Sequence, residues 1–283
     1  MAQGFSGSTI SSLVDNKACD GRLTLATATP VTTTDQTAKT TVYFTPYKGN
    51  RIALYDGSAW QMITFSEVSV AVPATTSTPF DIWGVLSGGA LTLETTSWTN
   101  DTTRATALVL QDGVQSKTGS VTRRYLGTGR TTAVSGQCED SLTKRFLWNH
   151  YNKVERRLSV NEPTDHTYTT GSFRKWNNAD GTLLGFIIGL VEDSISASAW
   201  SMLGSTGADT AYINIGFNSS TVRMGSSASG DIQVGSSGII SQLRAINLET
   251  AYPILGYNFL NVIEFGTVGT TYYEADLKGI IKG

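Results

Sequence analysis

Residues 80–95 read Phe-Asp-Ile-Trp-Gly-Val-Leu-Ser-Gly-Gly-Ala-Leu-Thr-Leu-Glu-Thr. Two runs of mostly apolar, aromatic and β-branched residues flank a pair of glycines. Glycine adopts positive φ at no steric cost, and a two-residue hairpin turn of the primed type requires it. The stretch therefore predicts a β-hairpin in which Phe80–Ser87 and Ala90–Thr95 are joined at Gly88-Gly89.

The same pattern recurs on both sides of this hairpin. Asp56-Gly57 and Asp112-Gly113 each lie next to runs of strand-forming residues, and further short runs follow at about ten-residue spacing. Arg123–Leu126 is one such run, and Gly127 and Gly129 are interpreted as the end of its strand. Short strands separated by glycine turns are typical of a β-sandwich or barrel.

A second series of strands begins after Pro163. Leu183–Val191 is apolar on both faces, which predicts a central, buried strand. Tyr257–Phe265, Thr270–Glu274 and Leu277–Ile281 are interpreted as three closing strands. The fold class we predict is all-β, with two antiparallel β-sandwich or jelly-roll-like domains preceded by an extended N-terminal arm.

The domain limits follow from these series. Residues 1–20 form the predicted arm, residues 21–158 a β-sandwich domain, and residues 159–283 the jelly-roll-like domain. Residues 141–158 fit two interpretations. Asp140 is a suitable N-cap for a helix there, yet alternation of side chains such as Phe146, Trp148 and His150 suits a strand equally well.

Composition excludes several classes of partner. Lys and Arg number 21 against 23 Asp and Glu, so no basic excess exists to neutralise a nucleic-acid backbone. No apolar run is long enough for a membrane span, and no membrane insertion is expected. The N-terminus lacks the charged head and apolar core of a secretion signal. Cys19 and Cys138 match no metal or redox spacing, and reduced thiols are the preferred interpretation in a cytoplasmic product.

Catalytic chemistry is poorly supported. The chain contains two histidines, His150 and His166, and no Gly-x-Ser-x-Gly motif. His150 is expected to pack among its aromatic neighbours and His166 to lie in an exposed loop. Neighbouring carboxylates such as Glu139 and Asp140 point to opposite faces of a strand. We therefore predict a non-enzymatic protein without a cofactor or a metal site.

Several motifs of the first half resemble, in their order, a module of structural proteins from the virions and tails of double-stranded DNA bacteriophages. The resemblance covers about residues 20–160 and is carried by Thr45–Trp60, Trp98–Thr106, Gln111–Val114, Arg123–Thr128 and Asp140–Asn152. In the second half, only the ending at 257–283 is similar in style to the last strands of trimeric fibre and spike domains. The resemblance implies a virion component, and it carries no catalytic residues.

The expected function is a tail or head fibre or spike component that docks on the particle and binds a host surface receptor. Partners would be other virion proteins, two further copies of the chain in a homotrimer, and a host glycan. Phe5, Ile10 and Leu13 are candidate docking residues of the arm. Candidate glycan contacts are four aromatic side chains of the second half: Trp176, Trp200, Tyr252 and Tyr272. A decoration, cement or connector protein without a ligand is one alternative, and a polysaccharide depolymerase is another.

Overall fold

A computed structural model describes residues 14–205, 209–224, 231–234, 242–247, 251–267 and 270–283. Apart from one short 3-10 turn at Trp176–Asn178, the regular secondary structure of these residues consists of β-strands, so the all-β prediction is confirmed. The strands are β1 (Gly21–Thr24), β2 (Gln36–Lys39), β3 (Thr41–Pro46), β4 (Arg51–Tyr55), β5 (Trp60–Thr64), β6 (Val68–Ala71), β7 (Pro79–Ser87), β8 (Ala90–Ser97), β9 (Leu108–Gln111), β10 (Val114–Lys117), β11 (Ser120–Arg130), β12 (Cys138–Asp140), β13 (Lys144–Arg145), β14 (Leu147–Asn149), β15 (Glu155–Glu162), β16 (His166–Tyr168), β17 (Arg174–Lys175), β18 (Leu184–Ile188), β19 (Ser196–Ser205), β20 (Asp209–Phe217), β21 (Asp231–Val234), β22 (Gln242–Asn247), β23 (Gly256–Gly266) and β24 (Thr270–Lys282).

Three larger sheets dominate the architecture. One has the order β8-β7-β11-β10-β9, with β14 also on β11. The second has the order β2-β12-β13-β18-β23-β20-β21, with β17 also on β23, and the third has the order β15-β24-β19-β22, with β16 also on β24. A β1-β3-β6 sheet and the β4-β5 hairpin complete the described strands. These pairings are antiparallel except for β13 with β18, which is parallel.

Two of the predicted glycine turns have the expected geometry. Ser87 pairs with Ala90, and Gly88 and Gly89 have φ of 57° and 80°. Asp112 and Gly113 join β9 to β10 in the same way, with φ of 51° and 81°. Positive φ at both positions defines a type I′ turn, whose twist matches that of the flanking strands.

The Asp56-Gly57 turn differs in length from the prediction. Tyr55 pairs with Trp60, so four residues rather than two close the hairpin. The Asp56 carboxylate accepts hydrogen bonds from the backbone N–H groups of Ala59 and Ser58, which holds the pKa of this carboxyl well below its usual range. A side chain that bonds the backbone two and three residues later stabilises the longer loop.

Residues 141–158 form strands, which decides between the two interpretations of this segment. They contribute β13, β14 and the start of β15. Asp140 does not cap a helix here. Its carboxylate binds Arg145 at 2.9 Å and Arg156 at 2.7 Å, and all three side chains are buried. The charged side chains of the segment thus stabilise contacts between strands.

Two strand limits differ from the sequence prediction. Strand β11 continues through Gly127 and Gly129 to Arg130, because these glycines fit against a neighbouring strand and a ring rather than forming a turn. A Cβ on Gly127 would lie 2.2 Å from the Trp148 carbonyl oxygen. The last two predicted strands are one strand, β24. The predicted buried strand, β18, lies between β13 and β23, and each of its residues is buried.

The hydrophobic core contains residues from both sides of the predicted domain limit at 158/159. One cluster of buried side chains includes Trp83, Tyr125 and Trp148 together with Phe186 and Leu260. The sheet that contains β18 likewise joins strands from both halves of the chain. The two-domain division itself stays a prediction. Because side chains from both sides of this limit pack in one cluster, the two halves of the chain are in direct contact.

Candidate functional site

The outer face of the β15-β24-β19 sheet has the features of a binding surface. Along these strands, alternate residues such as Leu158, Leu277 and Ala199 are buried in the core. The intervening residues point away from the core because successive side chains of a strand lie on opposite faces. Strand register aligns them in three rows: Arg157–Ile280–Ser196, Ser159–Lys278–Ser198 and Asn161–Asp276–Trp200.

A groove of about 420 Å³ crosses the first two rows. We call it the outer groove, and its lining is Arg157, Ser196, Ala197, Ser198, Lys278, Gly279 and Ile280. A smaller depression of about 190 Å³ shares Ser196 and Ile280 with it and continues towards Glu155 and Lys282. Six residues of a strand span about 20 Å, so the solvent-facing side of β24 between Asp276 and Lys282 is long enough for an extended ligand.

Trp200 adjoins this groove, two residues along β19 from Ser198. Its ring is half-buried, and its indole Nε1 donates a hydrogen bond of 2.9 Å to Oδ2 of Asp276. The same carboxylate oxygen accepts a hydrogen bond from Nζ of Lys278. Asp276 is itself 8% exposed, so its position is constrained by the sheet. The indole is therefore held in one orientation at the edge of the groove.

The four predicted glycan contacts occupy three different environments. Trp200 lies beside the groove, and Tyr252 is 71% exposed in the segment before β23. Trp176 and Tyr272 are fully buried and pack edge to face, with ring centroids 5.4 Å apart. These two rings form part of the core and have no face available to a sugar. The predicted docking residues Phe5, Ile10 and Leu13 lie outside the described residues.

Sequence reasoning missed Arg157, Lys278 and the two serines of the groove. A signal for them exists in the alternation of Ser196-Ala197-Ser198-Ala199-Trp200, where small apolar residues alternate with polar or aromatic ones. Such a period of two indicates a strand with one buried face and one solvated face. Asp276-Leu277-Lys278-Gly279-Ile280 alternates too, but our prediction ended one strand at Glu274 and began another at Leu277.

The expectation of an exposed loop for His166 was wrong. His166 lies in β16, and its side chain is 8% exposed. Its Nε2 contacts the buried carboxylate of Glu264, which also accepts a hydrogen bond of 2.7 Å from Nε of Arg174. The imidazole stacks on Tyr272, with ring centroids 5.2 Å apart. Through its contacts with His166 and Arg174, the Glu264 carboxylate links β16 and β17 to β23 inside the protein.

His150 packs among rings as expected, against Tyr125, Trp148 and Tyr151. Burial lowers the pKa of His150 from 6.5 to about 4. The unfolded chain therefore binds a proton below about pH 6.5, whereas the folded chain binds it only below about pH 4. Protonation of the unfolded state thus removes stability as the pH falls through this window.

We expect this effect to appear as a difference between the wild-type protein and the His150→Gln variant. Between pH 7 and pH 4.5 the wild-type protein should lose about 1–3 kcal/mol more of its free energy of unfolding than the variant, after allowance for partial exposure of the ring. Urea titrations at both pH values measure this. Equal losses in the two proteins would contradict the assignment of the acid sensitivity to His150.

Both cysteines are buried free thiols. Burial raises the pKa of Cys19 and of Cys138 to about 12. Among the described residues, no group of three or more His, Cys, Asp or Glu side chains is placed to hold a metal ion. Within that part of the chain, no helix has the length and apolar character needed to cross a membrane.

No family model matches this sequence, and no curated protein matches it. Among solved structures, one described as BuGH86wt in complex with neoagarooctaose matches at 10% identity over 88% of this chain and 34% of that chain, with a TM-score of 0.28. The insecticidal delta-endotoxin Cry8Ea1 from Bacillus thuringiensis matches at 6% identity over 93% of this chain and 51% of that chain, with a TM-score of 0.27. This chain spans less than two thirds of either structure, and overlap this low gives no information about function.

Proposed function

We propose that this protein is a non-enzymatic component of a bacteriophage particle that binds a host-surface glycan on the outer face of the β15-β24-β19 sheet. The observation that carries the glycan part is the fixed Trp200 ring beside a groove that combines polar side chains with the apolar Ile280. Sugars present C–H faces that pack on aromatic rings and hydroxyl groups that require hydrogen-bond partners, and ligand sites in general combine apolar surface with a few placed polar groups. Trp200, Ile280, Ser196 and Ser198 supply both kinds of contact.

The particle part of the proposal rests on the resemblance of residues 20–160 to virion and tail proteins. In this proposal the first half docks on the particle, and the second half is displayed outwards. Display of several copies would strengthen a weak sugar contact, since linked sites bind with far higher avidity than single ones. A shallow, open groove is compatible with such multivalent binding.

Replacement of Trp200 by Ala is expected to lower the affinity for host envelope glycan at least tenfold, which corresponds to about 1.4 kcal/mol. The reason is loss of the ring surface, together with loss of the Asp276 hydrogen bond that orients it. Binding of the full-length chain to immobilised host cells and to a glycan array measures the effect, and a thermal melt confirms that the variant is folded.

Trp60→Ala is the matched control. Trp60 is also half-buried on a strand, and its Nε1 donates to an aspartate, Asp112, at 2.9 Å. It lies in the β4-β5 hairpin, so its loss should leave glycan binding unchanged. A full-length protein that binds no host glycan would instead favour a cement or connector protein. Release of new reducing ends from the glycan would favour a depolymerase.

The number of chains in the assembly can be tested by measuring the molecular mass of the protein in solution. We expect a homotrimer, because closed symmetric assemblies bury surfaces that a single copy would expose. Light scattering at micromolar protein concentration should therefore give three times the 30.3 kDa mass of one chain. A mass equal to one chain would contradict the trimeric part of the proposal. It would not contradict glycan binding, which the array experiment tests separately.

A further inference from the structure

We infer that the ligand of the outer groove is an acidic glycan, whose carboxylate or phosphate groups bind at Arg157 and Lys278. This inference rests on the glycan binding proposed above and narrows it to a chemical class. Its basis is the charge of the groove lining: the described residues that line it include two cations and no carboxylate. The chain as a whole has a net charge of −2, so the cationic character is local to this surface.

Of the two cations in the groove, Arg157 is the stronger indication of an anionic ligand. The structure gives its guanidinium one side-chain hydrogen bond, at the long distance of 3.5 Å to Oγ of Ser159, and no ion pair with a carboxylate of the described residues. Other arginines of the protein, such as Arg104, Arg145 and Arg174, pair with carboxylates at 2.7–2.9 Å. The planar guanidinium fork matches carboxylate and phosphate groups, so an exposed, unpaired fork in a groove is suited to an anion.

Lys278 lies diagonally across from Arg157. Arg157 pairs with Ile280 and Lys278 pairs with Ser159, so the two cations belong to adjacent rows of the same face. Diagonal neighbours in a sheet are about 7–8 Å apart. Long side chains at this spacing can reach one anionic group from two sides. Lys278 also keeps its contact with Asp276, which uses one of the three ammonium donors, so Arg157 is the cation with the larger free binding capacity.

Ile280 explains why a sugar acid fits better than a free anion. Its side chain is 46% exposed, between Arg157 and Ser196 in the first row. An exposed isoleucine gives the groove an apolar floor beside the cations, on which the C–H face of a sugar ring can pack while its acidic group meets Arg157. Glu155 faces Lys282 in the next row, so the acidic group is expected on the Lys278 side of Ile280.

The experiment compares charged glycans with neutral forms of the same glycans. The panel contains polygalacturonate and hyaluronate, each with its carboxyl-reduced form, and a phosphorylated mannan with the same mannan after phosphate removal. The full-length protein is expected to bind at least one acidic member ten times more tightly than its neutral form. Binding of the carboxylated glycans would identify a carboxylate as the recognised group, and binding of the phosphorylated mannan would identify a phosphate.

Two variants locate the anion. Arg157→Gln should weaken binding of the acidic glycan about tenfold and leave binding of any neutral glycan unchanged. Arg51→Gln is the control, since it removes the same charge from a side chain that is 64% exposed on β4, remote in sequence from the groove. Binding of the acidic form should also weaken between 50 and 300 mM NaCl, because surface charge interactions are screened by salt.

The outcomes separate the two proposals. Equal affinity for acidic and neutral forms, or equal losses in the Arg157→Gln and Arg51→Gln variants, would overturn the acidic-glycan inference and leave glycan binding in place. The acidic-glycan inference would also be overturned, and glycan binding retained, if Trp200→Ala abolished binding and Arg157→Gln left it unchanged. Failure to bind any glycan of this panel and of the host envelope would overturn both proposals.

Discussion

Replacement of Arg104 by Gln is expected to lower the free energy of unfolding by about 3–5 kcal/mol. Arg104 Nε binds Asp81 Oδ2 at 2.9 Å, and the side chains are 8% and 2% exposed. The guanidinium also donates to the Gly189 carbonyl oxygen and to the Tyr125 hydroxyl, and it lies over the Trp98 ring. Its removal leaves the Asp81 charge buried, with Thr128 of β11 still donating a hydrogen bond to it.

The cost arises chiefly from the aspartate that remains. Burial already raises the pKa of Asp81, although Arg104 opposes this effect. Without Arg104 the carboxylate is desolvated and uncompensated, which is the circumstance in which a broken buried ion pair is most destabilising. A second change, Asp81→Asn, should therefore recover part of the lost stability in the Arg104→Gln background. Urea denaturation of the single and double variants measures both effects.

Arg123→Gln provides the control for this experiment. Arg123 binds Glu94 at 2.7 Å between β11 and β8, but the side chains are 30% and 41% exposed. Exposed pairs of this kind contribute about 0–1 kcal/mol because water solvates the separated charges. Similar losses in Arg104→Gln and Arg123→Gln would contradict the burial of the Arg104–Asp81 pair.

The fold was predictable where the decisive interactions are local. Gly88-Gly89 specifies its turn through backbone conformation alone, and the apolar run at residues 183–191 specifies burial through composition. The pairing of β2, β12, β13, β18 and β23 in one sheet was not predictable in this way. It joins segments separated by many tens of residues, and such pairings depend on loop closure and shared packing rather than on any single segment.

The candidate site was predicted only in part, and a β-bulge explains why. Tyr272 lies an even number of residues from Asp276 and Lys278, so an uninterrupted strand would place all three on the same face. The register shifts between Met202 and Leu203, opposite residues 272–274, and this shift turns Tyr272 into the core. Sequence alone shows aromatic residues in similar strands, and the bulge decides which of them faces outwards.

Arg157 and Lys278 illustrate a second limit. Each is an ordinary surface cation of its own strand, and 121 residues separate them along the chain. They become neighbours because β15 pairs with β24 in the observed register. A shift of one residue would move either side chain to the opposite face of the sheet. The charge of the groove is therefore a property of strand pairing, which local patterns do not reveal.

Replacement of Gly256 by Ala is the second change for which we expect a large loss, about 3–5 kcal/mol of the free energy of unfolding, from backbone conformation and overpacking together. Gly256 begins β23 with φ of 94°, a conformation that side chains strongly disfavour. A Cβ there would also lie 1.9 Å from the Asp101 carbonyl oxygen. That oxygen accepts a hydrogen bond of 2.9 Å from the N–H of Tyr257, so the two backbones approach too closely for any side chain between them.

Gly88→Ala separates the two causes. Gly88 has φ of 57°, and a Cβ at this position meets no atom within 4 Å. Its replacement should cost about 1–2 kcal/mol, from backbone conformation alone. The larger loss at Gly256 then measures the contact between residue 101 of the first half and β23 of the second. Chemical denaturation of both variants tests this, and equal losses would mean that the two halves do not meet here as closely as the structure places them.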